Sequence, residues 1–208
     1  MGKNLTPLFS SFCYKKNFNN KVLDRSLFEK IAYDCERQSE GIHLSNMGGY
    51  HSPNFLGFGD DPMRSKLLDV INKEVKKCAI EFGLKLTGKK IRVSNFWFNI
   101  NRKKDFNKMH THTGSVFSGV FYIKAPDRCG MLVLEDPSTQ LMQAYLNYWH
   151  LDYEWNQYTS MIWNISPDPG DLVIFPSWMS HYVEPNMSDE DRISISFNTI
   201  VEDEQTTP

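Results

Sequence analysis

Beyond residue 90 the apolar residues change period. Ile91 to Asn101, Ser115 to Lys124, Met131 to Leu134, Ser160 to Ile165, Asp171 to Phe175 and Arg192 to Val201 are short and rich in Val, Ile, Phe, Tyr and Trp. Gly, Pro, Asp and Asn separate them, as expected of strands joined by turns. Upstream the period is helical. Leu23, Leu27, Phe28, Ile31, Ala32 and Cys35 form one stripe, with Ser26 and Glu29 as a capping box and Gly41 as a stop. Asp61 and Pro62 mark the start of a second helix, whose stripe is Leu67, Leu68, Ile71, Val75, Cys78, Ala79 and Phe82 before Gly83. Helices followed by a run of strands exclude a doubly wound parallel sheet and predict a mainly β sandwich or barrel with N-terminal helices against it.

At 208 residues such a fold is expected to form one domain, with residues 1–90 as helical buttress, 91–201 as β core and 202–208 as a frayed tail. A chain of this size buries about 70% of its unfolded surface, so a metal would serve chemistry rather than stability. The net charge of −2 argues against a general basic surface for DNA. Cys13, Cys35, Cys78 and Cys129 are far apart and read as reduced thiols. Without a signal-like N-terminus or an apolar run of roughly 18 residues, the expected location is cytoplasmic, with no membrane partner. Between Ser138 and Pro169 lies a long connection carrying Tyr145, Tyr148, Trp149, Tyr153, Trp155 and Tyr158. It reads equally as a lid or substrate wall and as an extra hairpin closing one sandwich end.

Three of the six histidines stand out. Met109-His110-Thr111-His112 puts two imidazoles on one face of an extended chain, and His181 follows the apolar strand ending at Phe175. His43, His51 and His150 read as ordinary surface or hydrogen-bonded histidines. In Arg192-Ile193-Ser194-Ile195-Ser196-Phe197-Asn198, alternation places Arg192, Ser194, Ser196 and Asn198 on one face. If that face turns inward, the guanidinium needs an anion, which a carboxylate-bearing cosubstrate supplies; the alternative is a solvated edge strand. Arg102-Lys103-Lys104-Asp105-Phe106-Asn107-Lys108 reads as a solvated turn in preference to a patch recruiting an anionic substrate.

Met109 to His112, Ser118 to Tyr122, Glu135-Asp136-Pro137, Pro169 to Trp178, His181 and Arg192 to Asn198, with Ser45 to Ser52 upstream, resemble the iron(II) and 2-oxoglutarate dependent oxygenases of the prolyl-hydroxylase-like group. The resemblance implies a double-stranded β-helix, a jelly roll of cupin type buttressed by two or more α-helices. It implies His110, His112 and His181 as iron ligands and Arg192 as anchor of the far carboxylate of 2-oxoglutarate. Ser194 completes an Arg-x-Ser pattern, Asn99 matches an oxoglutarate-contacting asparagine, and Asn101 and Tyr122 are further candidates. Where the common triad has a carboxylate this chain has His112; Glu135 or Asp136 is the alternative ligand, though a structural role suits that pair better. The implied reaction consumes O2 and 2-oxoglutarate, releases succinate and CO2, and hydroxylates a peptide, nucleic acid or small molecule. Two other functions remain open, a three-histidine cupin-like dioxygenase that does not use 2-oxoglutarate and a non-catalytic jelly-roll binding module. Neither the substrate nor an oligomeric state is legible.

Overall fold

A computed structural model describes residues 10–54, 62–138 and 154–204, with Asn4, Thr6, Leu8, Ala144, Tyr148 and Asp152 as isolated positions. Its elements run β1 (Tyr14–Asn17), α1 (Arg25–Gln38), β2 (Asn46–Met47), β3 (Tyr50–His51), α2 (Pro62–Glu81), β4 (Lys89–Asn101), β5 (Phe106–His110), β6 (Phe117–Lys124), β7 (Leu132–Glu135), β8 (Ile162–Ile165), β9 (Asp171–Pro176), β10 (His181–Val183) and β11 (Arg192–Asp203). The described strands form two antiparallel sheets, a six-stranded one in the order β1-β9-β6-β11-β4-β3 and a five-stranded one in the order β2-β5-β10-β7-β8.

The larger sheet is covered on both faces, which is why β6 and β9 are buried at nearly every position. Phe117, Phe121 and Ile123 of β6, Leu172 and Ile174 of β9, and Ile193, Ile195 and Phe197 of β11 pack with Phe28 and Ala32 of α1 and Leu67, Ile71 and Val75 of α2. The alternate residues Val120, Tyr122, Val173 and Phe175 face the other way and pack with Leu132, Leu134, Ile165 and Met179. β4 joins the helix-side core through Ile91 and Val93, then through Phe96, Phe98 and Ile100. The change of parity comes from a register shift between Asn198 and Thr199 of β11, where Asn198 pairs Asn95 but Thr199 pairs Val93. An inserted residue moves every following side chain to the opposite face. Past it, Asn95, Trp97, Asn99 and Asn101 turn away from the helices.

Several expectations change. α1 is capped by Asp24, whose Oδ1 accepts from the Ser26 and Leu27 amides at 3.1 and 3.3 Å, so Ser26 lies inside the helix and makes no capping box with Glu29. The helix ends at Ser39 rather than Gly41. Gly41 serves a different need: at φ +75° a Cβ would stand 2.6 Å from the His51 carbonyl oxygen. Pro62 opens α2 as expected, and Asp61 lies outside the described residues. Phe82 falls beyond the helix and is 50% exposed, with its ring 4.5 Å from that of Phe12. The segment before residue 90 also adds β1, β2 and β3 to the sheets. Glu202 and Asp203 continue β11 opposite Lys90 and Lys89 instead of fraying. Arg92 holds Glu202 at 2.7 Å, while Lys89 pairs with Asp203.

β1 is fastened to α2 by a buried carboxylate. Glu74 accepts from the Tyr14 hydroxyl at 2.6 Å, from Lys16 at 2.9 Å and from Lys77 at 3.1 Å. Burial alone would raise its pKa, but the three donors outweigh it and bring the value down to about 2. Below the ordinary value of 4.5 the unfolded chain binds the proton that folded Glu74 refuses. Its contribution to stability is therefore complete above that pH and is lost as the pH falls toward 2. Glu74→Gln should flatten the acid limb of a stability-versus-pH curve from chemical denaturation and lower stability at pH 7.

Candidate metal and cosubstrate site

The space between the sheets is polar where β4 and β11 face it. Register pairs Arg192 with Asn101, Ser194 with Asn99, Ser196 with Trp97 and Asn198 with Asn95, and β11 is interior, so the solvated-edge alternative is removed. Across the cavity stand the three histidines. His110 ends β5, His181 opens β10, and the two are paired in register. Between the pairs His110–His181 and Asn107–Val183, β5 carries one residue more than β10. That bulge lets Asn107 and His110 line the same cavity despite their odd spacing. His112 follows on the loop, with its amide donating to the Ser177 carbonyl at 2.9 Å.

One potential ligand atom from each histidine lies within 4.8 Å of the others, near enough for one ion. The His110 Nδ1 is 2.7 Å from the Lys108 carbonyl oxygen, and the His181 Nδ1 is 2.9 Å from that of Met179. A carbonyl only accepts, so in each ring Nδ1 carries the proton and Nε2 keeps its lone pair. His112 has no such carbonyl; its ring lies 6.1 Å from Trp97, which stacks on His51 at 5.2 Å and 10°. Burial lowers all three pKa values, with neighbouring imidazoles adding to the effect for His112 and His181, to about 4 for His112 and about 3 for His181. Three neutral nitrogen donors suit Fe, Zn, Cu or Ni. Among the described residues no carboxylate joins them. The Glu135 amide is tied to the Ser180 carbonyl, and Asp136 accepts from the Ser138 amide and hydroxyl.

Arg192 is 1% exposed. Its Nη1 donates to the carbonyls of Cys129 and, at 3.1 Å, Glu184, while Nη2 has no partner among the described residues. Among the described residues no carboxylate oxygen lies within 4.0 Å. A buried cation left with one orphan donor is costly, and an anion in the cavity removes that cost. Ser194, Asn99, Asn101 and Tyr122 line the same cavity. The Asn99 Nδ2 donates to Ser196 at 3.0 Å. Both donor sets fit the groups expected from the sequence: nitrogen lone pairs for a metal, an unsatisfied guanidinium for a carboxylate.

Other residues fall elsewhere. His51 is buried behind Trp97, His43 lines only the outer mouth, and His150 lies outside the described residues. Arg102 pairs with Glu36 at 2.8 Å and Lys103 with Asp189 at 2.6 Å, as a solvated turn would. In the segment from Ser138 to Pro169, Tyr145, Trp149 and Tyr153 lie outside the described residues. The described part pairs β8 with β7 and stacks Trp155 on Trp163 at 4.5 Å without lining the cavity, which favours the hairpin reading. Trp178 is 55% exposed, so it does not seal the cavity. The carbonyls of Cys129 and Glu184 that hold Arg192, and the Trp97–His51 stack, have no signal in the sequence; tertiary packing alone creates them.

The model of the family described as "Putative 2OG-Fe(II) oxygenase" matches residues 95–198. No curated protein matches the chain. Among solved structures, a Pseudomonas putida prolyl-4-hydroxylase is 16% identical with a TM-score of 0.56, covering 91% of this chain and 92% of its own. The viral collagen prolyl hydroxylase of Paramecium bursaria Chlorella virus-1, solved with 2-oxoglutarate, is 11% identical with a TM-score of 0.56 over 90% of this chain and 94% of its own. The epimerase SnoN, in complex with Fe3+, α-ketoglutarate and nogalamycin RO, is 13% identical with a TM-score of 0.62 over 94% and 82%. At these identities the likeness establishes the fold, the double-stranded β-helix.

The three-nitrogen arrangement separates the two possible ligand sets. His112→Ala should weaken iron(II) affinity in an anaerobic titration by more than the roughly 10–100-fold that losing a ligand's hydrogen-bonding partner costs, while Asp136→Ala should leave it nearly unchanged. The reverse pattern would assign the carboxylate as ligand.

Proposed function

The chain belongs to the 2OG-Fe(II) oxygenase family, and on that premise we propose that His110, His112 and His181 hold the iron, that Arg192, with Ser194 and Asn99 beside it, holds the 2-oxoglutarate, and that the oxidised substrate enters over Trp97. Bound iron(II) and 2-oxoglutarate supply the oxidative chemistry, in which O2 is consumed, 2-oxoglutarate becomes succinate and CO2, and an oxygen atom is delivered to a substrate C–H bond.

The chain's own part is to bind, orient and exclude water. Carbonyls at Lys108 and Met179 hold the His110 and His181 rings in the tautomer that leaves Nε2 free. Arg192 meets the far carboxylate with Nη2, the donor that no other described residue satisfies. Gly130, at φ +84°, keeps room for the guanidinium: a Cβ there would stand 2.9 Å from Nη1 and 2.5 Å from the Glu184 carbonyl. Val120, Leu132 and Phe175 add apolar surface to the wall, which strengthens the charge interactions inside it.

The single observation that carries this reading is the orphaned Arg192 Nη2 in the same cavity as the histidine cluster. It also tells against a cupin-like dioxygenase without 2-oxoglutarate, which needs no carboxylate anchor. Residues 1–208 read as one oxygenase domain. No helix among the described residues is long and apolar enough to cross a membrane. The four cysteines are free thiols, which supports a reducing, cytoplasmic setting. The substrate is a peptide, nucleic acid or small molecule.

Iron-loaded protein given 2-oxoglutarate and O2 should form succinate even without substrate, at a slow uncoupled rate. His181→Ala should reduce that rate at least 100-fold. Succinate no higher than this control would contradict the oxygenase reading and favour the binding module.

A further inference from the structure

The register that seats Arg192 opposite Asn101 continues outward to the pair Asn198 and Asn95. At about 3.4 Å per residue, the strand carries the polar lane roughly 20 Å from the guanidinium to the mouth of the cavity. Asn198 is only 8% exposed. Its Oδ1 accepts from Ser118 Oγ at 2.7 Å, and Ser118 Oγ lies 2.8 Å from Ser177 Oγ. Ser118 Oγ thus bridges the Asn198 carboxamide and the Ser177 hydroxyl. With Oδ1 on Ser118, the Asn198 Nδ2 has no hydrogen-bond partner among the described residues, and Asn198 lines the groove that His112 also lines. Asn95 repeats the pattern more weakly: the Ser94 hydroxyl, 3.1 Å from the Asn198 carbonyl oxygen, also lies 3.2 Å from the Asn95 Oδ1, and Asn95 lines the same groove. Residues directly opposite on antiparallel strands have Cβ atoms about 5 Å apart. The two carboxamides thus offer adjacent N–H donors.

The groove has a volume of about 610 Å³, within the range of small-molecule sites. Ile42, Leu44 and Met109 give it an exposed apolar rim. Among its described lining residues there is no carboxylate, and Lys108 is the one formal charge. Outside the histidine cluster, such a surface carries amide and hydroxyl groups and no anionic group to hold a cation.

Resting on the oxygenase reading, we propose that Asn95 and Asn198 form a clamp for the primary substrate, which presents a carboxylate or amide carbonyl carried on an apolar body. The clamp positions the substrate at the mouth end of the lane, while 2-oxoglutarate occupies the Arg192 end.

The test uses 15N-labelled protein with zinc in place of iron, followed through the side-chain amide resonances of Asn95 and Asn198. A first titration adds 2-oxoglutarate; failure to bind it counts against the oxygenase reading itself. With 2-oxoglutarate bound, benzoate and benzylamine are compared, since they share a ring but differ as acceptor and donor. Benzoate should move both asparagine resonances saturably, and benzylamine should not. Asn198→Asp replaces the free donor by an acceptor and keeps the Ser118 contact, so benzoate should weaken at least tenfold and benzylamine should gain. Asn95→Asp, at an independent site in the chain, should shift the preference in the same direction. Unmoved resonances with benzoate, equal binding of benzylamine by the unaltered protein, or benzoate binding that neither variant weakens would each overturn the clamp.

Discussion

A guanidinium buried between two sheets sets the terms for everything around it. Arg192 lies at the start of β11, fully enclosed, held by two backbone carbonyls and lacking a carboxylate among the described residues. In isolation this would be among the most unfavourable features of the molecule, since carbonyl dipoles only partly replace the water a cation loses. It becomes intelligible when the cavity in front of it takes an anion. The cost of burial then turns into selectivity, because a dicarboxylate is rewarded where a neutral ligand is not.

The two-layer architecture makes that cavity. The larger sheet spends one face on the helices, through Phe121, Ile174, Ile195 and their neighbours, and so needs no apolar residue on the inner side of β11. Ser194, Ser196 and Asn198 can stand there because Asn99, Trp97 and Asn95 of β4 face them in register. Two irregularities align the lane with the histidines. The shift at Asn198 and Thr199 turns the inner half of β4 toward the cavity, and the extra residue in β5 brings His110 round to His181. Both lie beside the site, where a bulge re-aims side chains that strict alternation would send elsewhere.

What the amino-acid order revealed follows from the range of the forces involved. Alternation in Arg192 to Asn198 and the i, i+2 spacing of His110 and His112 are local, so the polar face and the imidazole pair could be read directly. The family resemblance then joined them to His181. The Asp24 cap competed with a plausible Ser26 and Glu29 box, and only the backbone geometry decides between them. Strands as short as β2, β3 and β10 hold two or three residues, too few to display a period. The end of β11 read as a tail because Glu202 and Asp203 look solvated, although Lys90 and Lys89 face them from a distant strand. The carbonyls that grip Arg192 and the Ser177–Ser118–Asn198 relay have no sequence pattern at all, being contacts between segments far apart in the chain.

The pairing of Arg192 with a distal carboxylate is tested most directly by calorimetric titration of nickel-loaded protein with 2-oxoglutarate and with 2-oxovalerate, which lacks that group. A buried charge pair supplies about 3 kcal/mol or more against loss of one partner. 2-Oxoglutarate should therefore bind roughly a hundredfold tighter, with the advantage abolished in Arg192→Met. Equal affinities for the two acids, or a preference that survives in Arg192→Met, would contradict it.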